Sequence, residues 1–454
     1  MNRKILIFAA VLFIAIVAVL IIQHVPPQMS EKINNTLSSD WADPKNDLSK
    51  VKVAVLYENI IDEPPLGPQR STGDVIRILN ETHADMVFRS FWRWLPAFDS
   101  PENIPPEIVK EYAERTGIKP EQIPLLVEKS GYNYQELEKR ISAIKREMPN
   151  VIFVGAIPAQ RINRIDKNDI TGKVYTTNET WAMALDPQKW SIQKNGKPFT
   201  KEKFQAQFAN WHGWVKSGKY DPDKVEAYFP DITNPDYQEL LLSWAYKQID
   251  SGADAIWIDG LPQTPFFYQF TGDPTHPAIK DSFKASEKIV DEIHKYGQAK
   301  GKRIYVGAWA IPLKYTEGLP QMPSNIDFVT MTPTENEILD RKLNESYEKI
   351  THTRSLYGNK PIFAFIDWST DQSPAVVFSQ MLNKDMQSET LAILDESFAK
   401  NGVNFIYPLH GGYMGRGAIT TKLAFGKYRN YDSLAPEFQT YKTIKELANN
   451  KAAK

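Results

Sequence analysis

The 454-residue sequence contains no cysteine. This absence excludes disulfide frameworks, cysteine-ligated zinc, iron–sulfur clusters and catalytic thiols. An excess of charge of one sign is also lacking, because 54 Lys and Arg residues face 55 Asp and Glu residues and leave a net charge of −1. Nucleic-acid binding relies on clustered positive charge, so we predict no nucleic-acid partner.

Histidine is scarce, and its arrangement excludes further classes. The seven histidines form neither a His-x-His nor a His-Glu-x-x-His pattern, which argues against barrel metallohydrolases. A Gly-x-Ser-x-Gly elbow is also absent, which argues against an α/β-hydrolase. We therefore predict no metal and no cofactor.

One long apolar segment interrupts this ordinary composition. Residues 5–22 are all apolar, and a helix of this length spans roughly 27 Å, close to the ~30 Å hydrocarbon core of a bilayer. Arg3 and Lys4 precede it, so we predict a single-pass membrane anchor over 1–22 with the bulk of the chain outside the cytoplasm. A cleaved signal peptide of a secreted protein is the alternative. The polar residues 23–50 predict a flexible linker.

Short apolar runs then alternate with helical patterns over 51–446. This alternation predicts a (β/α)8 barrel, whereas a doubly wound sheet lacks the Gly-rich turn expected after its first strand. The predicted barrel carries insertions at 95–133 and 160–232 and is followed by a tail at 447–454. The eight predicted strands cover 51–57, 84–91, 150–157, 253–259, 303–309, 326–331, 361–367 and 403–409.

Polar and aromatic residues fall on or just after several of these strands. The active site of such a barrel lies at the C-terminal ends of its strands, so these positions predict the site. The candidate site residues are Glu58, Arg89, Trp92, Trp94, Asp259, Trp309, Glu335, Glu337, Asp367, Trp368 and His410.

Asp259 is the strongest of these candidates, because it directly follows the fourth apolar run and precedes Gly260. Residues 229–260 (FPDITNP, a helix, then GADAIWIDG) resemble a pattern of barrel glycoside hydrolases. These include the α-galactosidase-type and α-glucosidase-type clans and the endo-α-1,4-polygalactosaminidase-like family. The resemblance implies a nucleophilic Asp259 and an acid/base carboxyl near the end of the sixth strand. Ala255 departs from the glycine common at that place.

Glycosidases need two carboxyl groups, one of which keeps its proton near neutral pH. Glu335 is the first candidate for the partner of Asp259, Asp367 and Glu337 are its rivals, and Glu58 is a weaker one. Each has the alternative of being an ordinary loop carboxylate.

Sugar rings pack on aromatic side chains, so we predict that Trp92, Trp94, Trp309 and Trp368 bind substrate. Trp257 is predicted to be core. Arg89 and Arg93 are candidates for bidentate contacts to substrate or for internal salt bridges. We expect Glu58, Glu337 and His410 to contact substrate hydroxyl groups, with a simple tight turn as the alternative for His410 and the glycines that follow it.

The sequence thus predicts a membrane-anchored glycoside hydrolase-like protein that acts on an oligo- or polysaccharide by a two-carboxylate mechanism. A non-catalytic glycan- or cell-wall-binding protein on the same scaffold is the alternative. A barrel lyase or isomerase with a phosphate bound at 411–417 is a third, more remote one. The sugar, the linkage, the stereochemical outcome and the oligomeric state stay open.

Overall fold

Eight parallel strands close into a barrel in a computed structural model of the protein. Each strand pairs with its neighbours in chain order, and Ala54 of the first strand is in register with both Met86 of the second and Ile406 of the eighth. The strands are Ala54–Tyr57 (β1), Met86–Trp92 (β2), Ile152–Pro158 (β3), Ala255–Asp259 (β4), Tyr305–Trp309 (β5), Phe328–Met331 (β6), Ile362–Ala364 (β7) and Asn404–Tyr413 (β8). The closure confirms the predicted barrel and excludes the doubly wound sheet, which is open.

The structure describes residues 47–61, 70–116, 118–215, 219–310, 319, 323–367, 373–413, 421–423, 426–428 and 430–453. The predicted membrane segment at 5–22, most of the predicted linker, and Trp368 lie outside the described residues. Within the described ranges, no helix is both long and apolar enough to cross a membrane.

The strands are buried because the chain supplies apolar side chains to both of their faces, as parallel barrels require. The barrel interior is filled by a cluster that includes Phe88, Trp257 and Phe365, whose rings meet edge to face at 5.0–5.9 Å between centroids. Trp257 has no exposed surface, and its Nε1 donates to Thr330 Oγ1 at 2.8 Å. Trp257 is therefore a core residue, as predicted, and its side chain helps to fill the barrel interior.

Helices cover the outside of the barrel and begin at recognisable caps. Asn234 is one such cap, since its side chain accepts hydrogen bonds from the backbone N–H groups of Asp236 and Tyr237, with Pro235 in the first turn. The helices are Thr72–Glu81 (α1), Pro106–Thr116 (α2), Ile123–Ser130 (α3), Tyr134–Glu147 (α4), Thr177–Met183 (α5), Lys201–Trp211 (α6), Pro235–Asp250 (α7), Thr264–Thr271 (α8), Pro277–Ala299 (α9), Glu335–Asp340 (α10), Asn344–Tyr357 (α11), Lys384–Lys400 (α12) and Tyr441–Ala452 (α13). Most of the predicted tail at 447–454 thus belongs to α13.

Shorter elements complete the chain. The first predicted insertion contains α2 and α3, and the second contains α5, α6 and most of the small antiparallel ribbons. A further strand, Asn430–Asp432 (β9), runs antiparallel to β8. The ribbons pair Ile162–Asn163 with Ala227–Tyr228, Asp166–Lys167 with Val174–Tyr175, Gln193–Lys194 with Lys197–Pro198, and Thr421–Leu423 with Gly426–Tyr428. Single helical turns lie at Leu48–Lys50, Pro101–Asn103, Pro120–Gln122 and Pro187–Trp190, and Pro374–Val376 continues into a π-helix, Val377–Met381.

Arg93 joins the second insertion to the barrel. Its guanidinium donates from Nε to Asp169 at 2.7 Å and from Nη2 to Asp166 at 3.1 Å, and none of the three side chains has exposed surface. Tyr134 donates to the same Asp169 carboxylate. Of the two interpretations of Arg93, the structure therefore supports the internal salt bridge, which fixes the start of the insertion beside β2.

Candidate active site

A cavity of about 720 Å³ opens at the C-terminal ends of the barrel strands. The mouth of a barrel is where ligand sites of this fold lie. The sequence-predicted residues that line it are Arg89, Trp92, Trp94, Asp259, Trp309, Glu335 and Asp367. Three other candidates, Glu58, Glu337 and His410, are buried and are not among the lining residues.

Asp259 ends β4 and points its carboxyl group into the cavity. Its Oδ2 accepts a hydrogen bond of 2.7 Å from Nε2 of Gln160, a residue of the loop after β3. Burial and, next, the negative charge of Asp367 raise the pKa of Asp259 to about 6, against the opposing charge of Arg89. A carboxyl group with this pKa exchanges its proton near neutral pH, as an acid catalyst must.

Gly260 makes room for the Gln160 contact. Its φ of +73° is a conformation that favours glycine, and a Cβ at this position would lie 2.9 Å from Cβ of Gln160. A residue without a side chain is therefore needed directly after Asp259, because it lets the neutral amide of Gln160 reach the Asp259 carboxyl group.

Arg89 is the central cation of the site. It is 3% exposed, and its Nη1 and Nη2 each lie 3.1 Å from an oxygen of Asp367, while Nη1 is 3.5 Å from Oε2 of Glu58. The guanidinium carbon lies 4.6 Å from the ring centroid of Trp257. Arg89 has a positive φ of 55° within an irregular stretch of the β2–β3 pairing, which places its side chain among the carboxylates.

Glu335 and Glu337 are only two positions apart in the sequence, but their side chains have different surroundings. Glu335 is the first residue of α10, is partly exposed and lines the cavity. The buried carboxylate of Glu337 instead accepts from the backbone of Thr334 at 2.9 Å and from both the backbone and the hydroxyl of Ser346 at 2.8 Å. The Glu337 carboxylate thus caps α10, and Glu337 is not among the residues that line the cavity.

His410 and Glu58 are buried and are bonded to each other through their backbones, and Glu58 also faces Arg89. The fully buried imidazole of His410 shares a hydrogen bond of 2.7 Å from Nδ1 with Asp432, which also accepts from Arg70 at 2.8 Å. The backbone N–H of Glu58 donates to the carbonyl of His410 at 2.9 Å, and the Glu58 carboxylate faces Arg89. The interactions described for these two candidates are therefore with the protein, and both lie apart from the cavity surface.

Aromatic side chains build much of the cavity wall. Trp92 and Trp94 stack at 5.3 Å between ring centroids with an interplanar angle of 29°. Trp309 also lines the cavity, and its buried Nε1–H has no acceptor among the described residues. Such a donor is suited to a ligand hydroxyl group.

Several lining residues were not predicted from the sequence. Gln160 belongs to no sequence motif. Thr332 directly follows β6 and Lys349 lies on α11, and neither stands in a recognisable sequence pattern. A second group comes from α6, its end and α8, and comprises Phe204, Phe208, Trp211, His212, Phe266 and Phe270. The concentration of tryptophans in the second insertion was the available signal for this group. Within the described ranges, no three His, Asp or Glu side chains gather as candidate metal ligands.

The sequence matches no known family profile, and no curated protein matches it. Solved structures similar to this chain include a gamma-CGTase from an alkalophilic Bacillus clarkii (12% identity, TM-score 0.43, 89% of this chain and 57% of the other). A second example is an isomaltulose synthase from a Klebsiella species (12% identity, TM-score 0.42, 78% of this chain and 64% of the other). A third is endo-glycoceramidase II from a Rhodococcus species (14% identity, TM-score 0.42, 88% of this chain and 80% of the other). The chain thus spans less than two thirds of the length of the first two. The fold assignment rests on the strand order described above and not on these similarities.

Proposed function

We propose that this protein binds a carbohydrate in the barrel cavity and hydrolyses a glycosidic bond with Asp259 and Asp367. The observation that supports the proposal is that these two carboxyl groups share one cavity but have opposite environments. Asp367 faces both terminal nitrogens of Arg89, whereas the side-chain donor to Asp259 is the neutral amide of Gln160. Pairs of carboxyl groups whose environments separate their pKa values mark the acid and the base of a glycosidase.

The environments suggest roles that reverse those implied by the resemblance. The cation Arg89 favours the ionised form of Asp367, which would act as nucleophile or stabilise positive charge at the anomeric carbon. Asp259, with its raised pKa, would donate its proton to the departing glycosidic oxygen. Water then supplies the hydroxyl group to the anomeric carbon and returns a proton to Asp259. Glu335, which lines the cavity, would contact the substrate or replace Asp367 in its role.

We further propose that the apolar segment at 5–22 anchors the protein in a membrane, so that the barrel meets its carbohydrate outside the cytoplasm. The support for this is the sequence alone, namely the length of the apolar run and the two basic residues before it.

Glycan binding without hydrolysis is a second candidate, and one observation favours it. Both oxygens of Asp367 face Arg89 at 3.1 Å, and a carboxylate held in this way is a weaker nucleophile.

The test is a glycan screen of the full-length protein in detergent solution, with Asp259→Asn, Asp367→Asn and, as control, Glu102→Gln at an exposed residue that is not among those lining the cavity. We expect the wild type and the control to cleave one glycan class, and each Asp→Asn variant to lose at least about a thousandfold in kcat/KM. Equal cleavage by wild type and Asp259→Asn would overturn the assignment. Binding of a glycan without cleavage by any form would favour the second candidate.

A further inference from the structure

Strand β2 contains a bulge near the end that reaches the cavity. Val87 pairs with Phe153 of β3, and the next pair, Phe91 with Gly155, comes four positions later in β2 but only two positions later in β3. Arg89 lies inside this bulge with a φ of +55°, a conformation that residues with a side chain rarely adopt. Bulges re-aim side chains next to active sites, and backbone strain persists only where neighbouring groups fix it. Specific contacts must therefore hold the backbone of Arg89 in place.

Asn59, the second residue after β1, supplies two of these contacts. Its backbone N–H donates to the carbonyl of Arg89 at 3.1 Å, and its side-chain Oδ1 accepts from the backbone N–H of Trp92 at 2.8 Å. The next residue, Ile60, donates from its backbone N–H to the carbonyl of Ser90 at 3.0 Å. The two bonds of Asn59 thus fix the bulge at Arg89 itself and at the residue where regular pairing has resumed.

The backbone of Asn59 explains why asparagine suits this position. Asn59 itself has a φ of +54°, which asparagine adopts more readily than most other residues that carry a side chain. Glycine would adopt it too, but it has no oxygen to accept from the N–H of Trp92. On the opposite edge of the bulge, Ser90 Oγ donates to the carbonyl of Val154 in β3 at 3.1 Å. The irregular stretch is therefore bonded to both of its neighbours in the barrel.

The bulge directs the Arg89 guanidinium to the carboxyl groups of the cavity. Both of its terminal nitrogens lie 3.1 Å from oxygens of Asp367, and Nη1 lies 3.5 Å from Glu58. The charged groups that act on Asp259 are Asp367, which raises its pKa, and Arg89, which lowers it. A displacement of Arg89 would therefore leave the negative charge of Asp367 acting on Asp259 without an opposing cation.

We propose that Asn59 is a positioning residue for the acid chemistry of the cavity, because it fixes the bulge that aims Arg89 at Asp367. Asn59 is not among the residues that line the cavity, so it acts through Arg89 and not on a ligand. The inference rests on the two-carboxylate site of the proposed function. Its test measures the proton affinity of Asp259 in the protein alone, and so does not depend on a substrate or on cleavage.

The test follows the titration of Asp259 by NMR of its side-chain carboxyl carbon in the full-length protein in detergent solution. The signal is the one that disappears in Asp259→Asn. Asn59→Gly is the main variant, because glycine keeps the backbone conformation and the N–H donor to Arg89 but removes the acceptor for Trp92. We expect Asp259 to titrate about one pH unit higher in this variant, because Arg89 is no longer held beside the carboxyl groups. Asn59→Ala, which also strains the backbone, should shift the titration at least as far.

Asn195→Gly is the matched control. Asn195 has the same φ of +54° as Asn59, but it is exposed and lies in the turn of the ribbon at 193–198. This variant should leave the titration of Asp259 unchanged. Adding Asn59→Gly to Arg89→Gln tests the route of the effect, since a residue that acts through Arg89 should shift the titration no further once the guanidinium is removed.

Two results would overturn the inference: a titration in Asn59→Gly that matches the wild type, or an undiminished upward shift when Asn59→Gly is added to Arg89→Gln. A shifted titration in Asn59→Gly, combined with no cleavage of any glycan by the wild type, would leave the inference standing while the proposed hydrolysis fails. An unshifted titration in a protein that cleaves a glycan would do the reverse. The two proposals are therefore distinguishable.

Discussion

Nη2 of Arg89 donates to Oδ2 of Asp367 at 3.1 Å, and Nη1 lies at the same distance from Oδ1. This ion pair lines the cavity with 3% of the Arg89 side chain and 12% of the Asp367 side chain exposed, and Glu58 adds a second negative charge 3.5 Å from Arg89. Because Arg89 is the cation that these carboxylates share, the site depends on it both for its stability and for the protonation of its acids.

Arg89→Gln is expected to lower the free energy of unfolding at pH 7 by about 3–5 kcal/mol, because it leaves buried carboxylates without their cation. Urea denaturation at pH 7 measures the loss. Arg77→Gln, which removes a half-exposed partner of Glu81, is the control and should cost less than about 1 kcal/mol. Similar losses for the two variants would contradict the central role of Arg89.

Asp259→Asn is expected to stabilise the protein at alkaline pH. The pKa of Asp259 is about 6 in the folded protein and close to 3.8 when the chain is unfolded, so folding favours its protonated form. The stability of the wild type therefore falls as pH rises from about 4 through 6, by at most about 3 kcal/mol from this group. Asparagine removes the penalty, so the variant should unfold at a higher temperature than the wild type at pH 8.

Below pH 4 the difference between Asp259→Asn and the wild type should vanish. Asp273→Asn is the control of opposite sign, because hydrogen bonds from Thr275 lower the pKa of that exposed carboxyl. Thermal unfolding from pH 3.5 to 8 makes the comparison, and a stability gain that is the same at every pH would show that Asp259 has an ordinary pKa.

Glu335→Ala and Glu337→Ala should separate ligand binding from folding. The buried Glu337 carboxylate caps α10 and binds Ser346, so its removal should cost about 1–3 kcal/mol in stability. Glu335 is partly exposed and lines the cavity, so its removal should change stability by less than about 0.5 kcal/mol while weakening glycan binding or cleavage. Chemical denaturation together with a glycan assay tests both halves, and the reverse pattern would exchange the two roles.

Gly260→Ala should cost more than the strain of a positive φ alone. Gly172 has nearly the same φ, +76° against +73°, but nothing lies within 4 Å of the Cβ that alanine would add there. Gly172→Ala therefore measures the backbone strain, about 1–2 kcal/mol. Gly260→Ala adds a clash with Gln160 and should displace the amide from Asp259. We expect a larger loss of stability and a higher pKa for Asp259, and equal losses for the two variants would show that Gln160 moves aside freely.

The barrel was predictable because its strands are apolar runs of regular length and because Asn234 and Pro235 mark a helix start in the sequence itself. Asp259 was predictable for the same reason, since it directly follows such a run. The partners of Asp259 were not. Gln160 is an ordinary loop residue in the sequence, and only the pairing of β3 with β4 brings it beside the carboxyl group.

The two glutamates illustrate a second limit. The sequence places Glu335 and Glu337 in one polar stretch after β6, and local pattern does not tell which side chain is used by the fold. Ser346 distinguishes the two, because its hydroxyl and its backbone N–H donate to the Glu337 carboxylate. Ser346 lies nine positions after Glu337, so these bonds form only when α10 and α11 pack together. His410 is similar, because Asp432 reaches it from β9, an element without a strong signal in the sequence.

The cavity lining comes from two parts of the chain that are under different constraints. The carboxylates and Arg89 sit on or beside barrel strands, where a change disturbs the whole fold. Trp211 and His212 belong to an excursion between β3 and α7, and surface excursions accept substitution and insertion far more readily than strands do. Substitutions in residues 160–232 can therefore reshape the cavity lining while the strand-borne carboxylates and Arg89 are retained, so changes of ligand preference are best sought there.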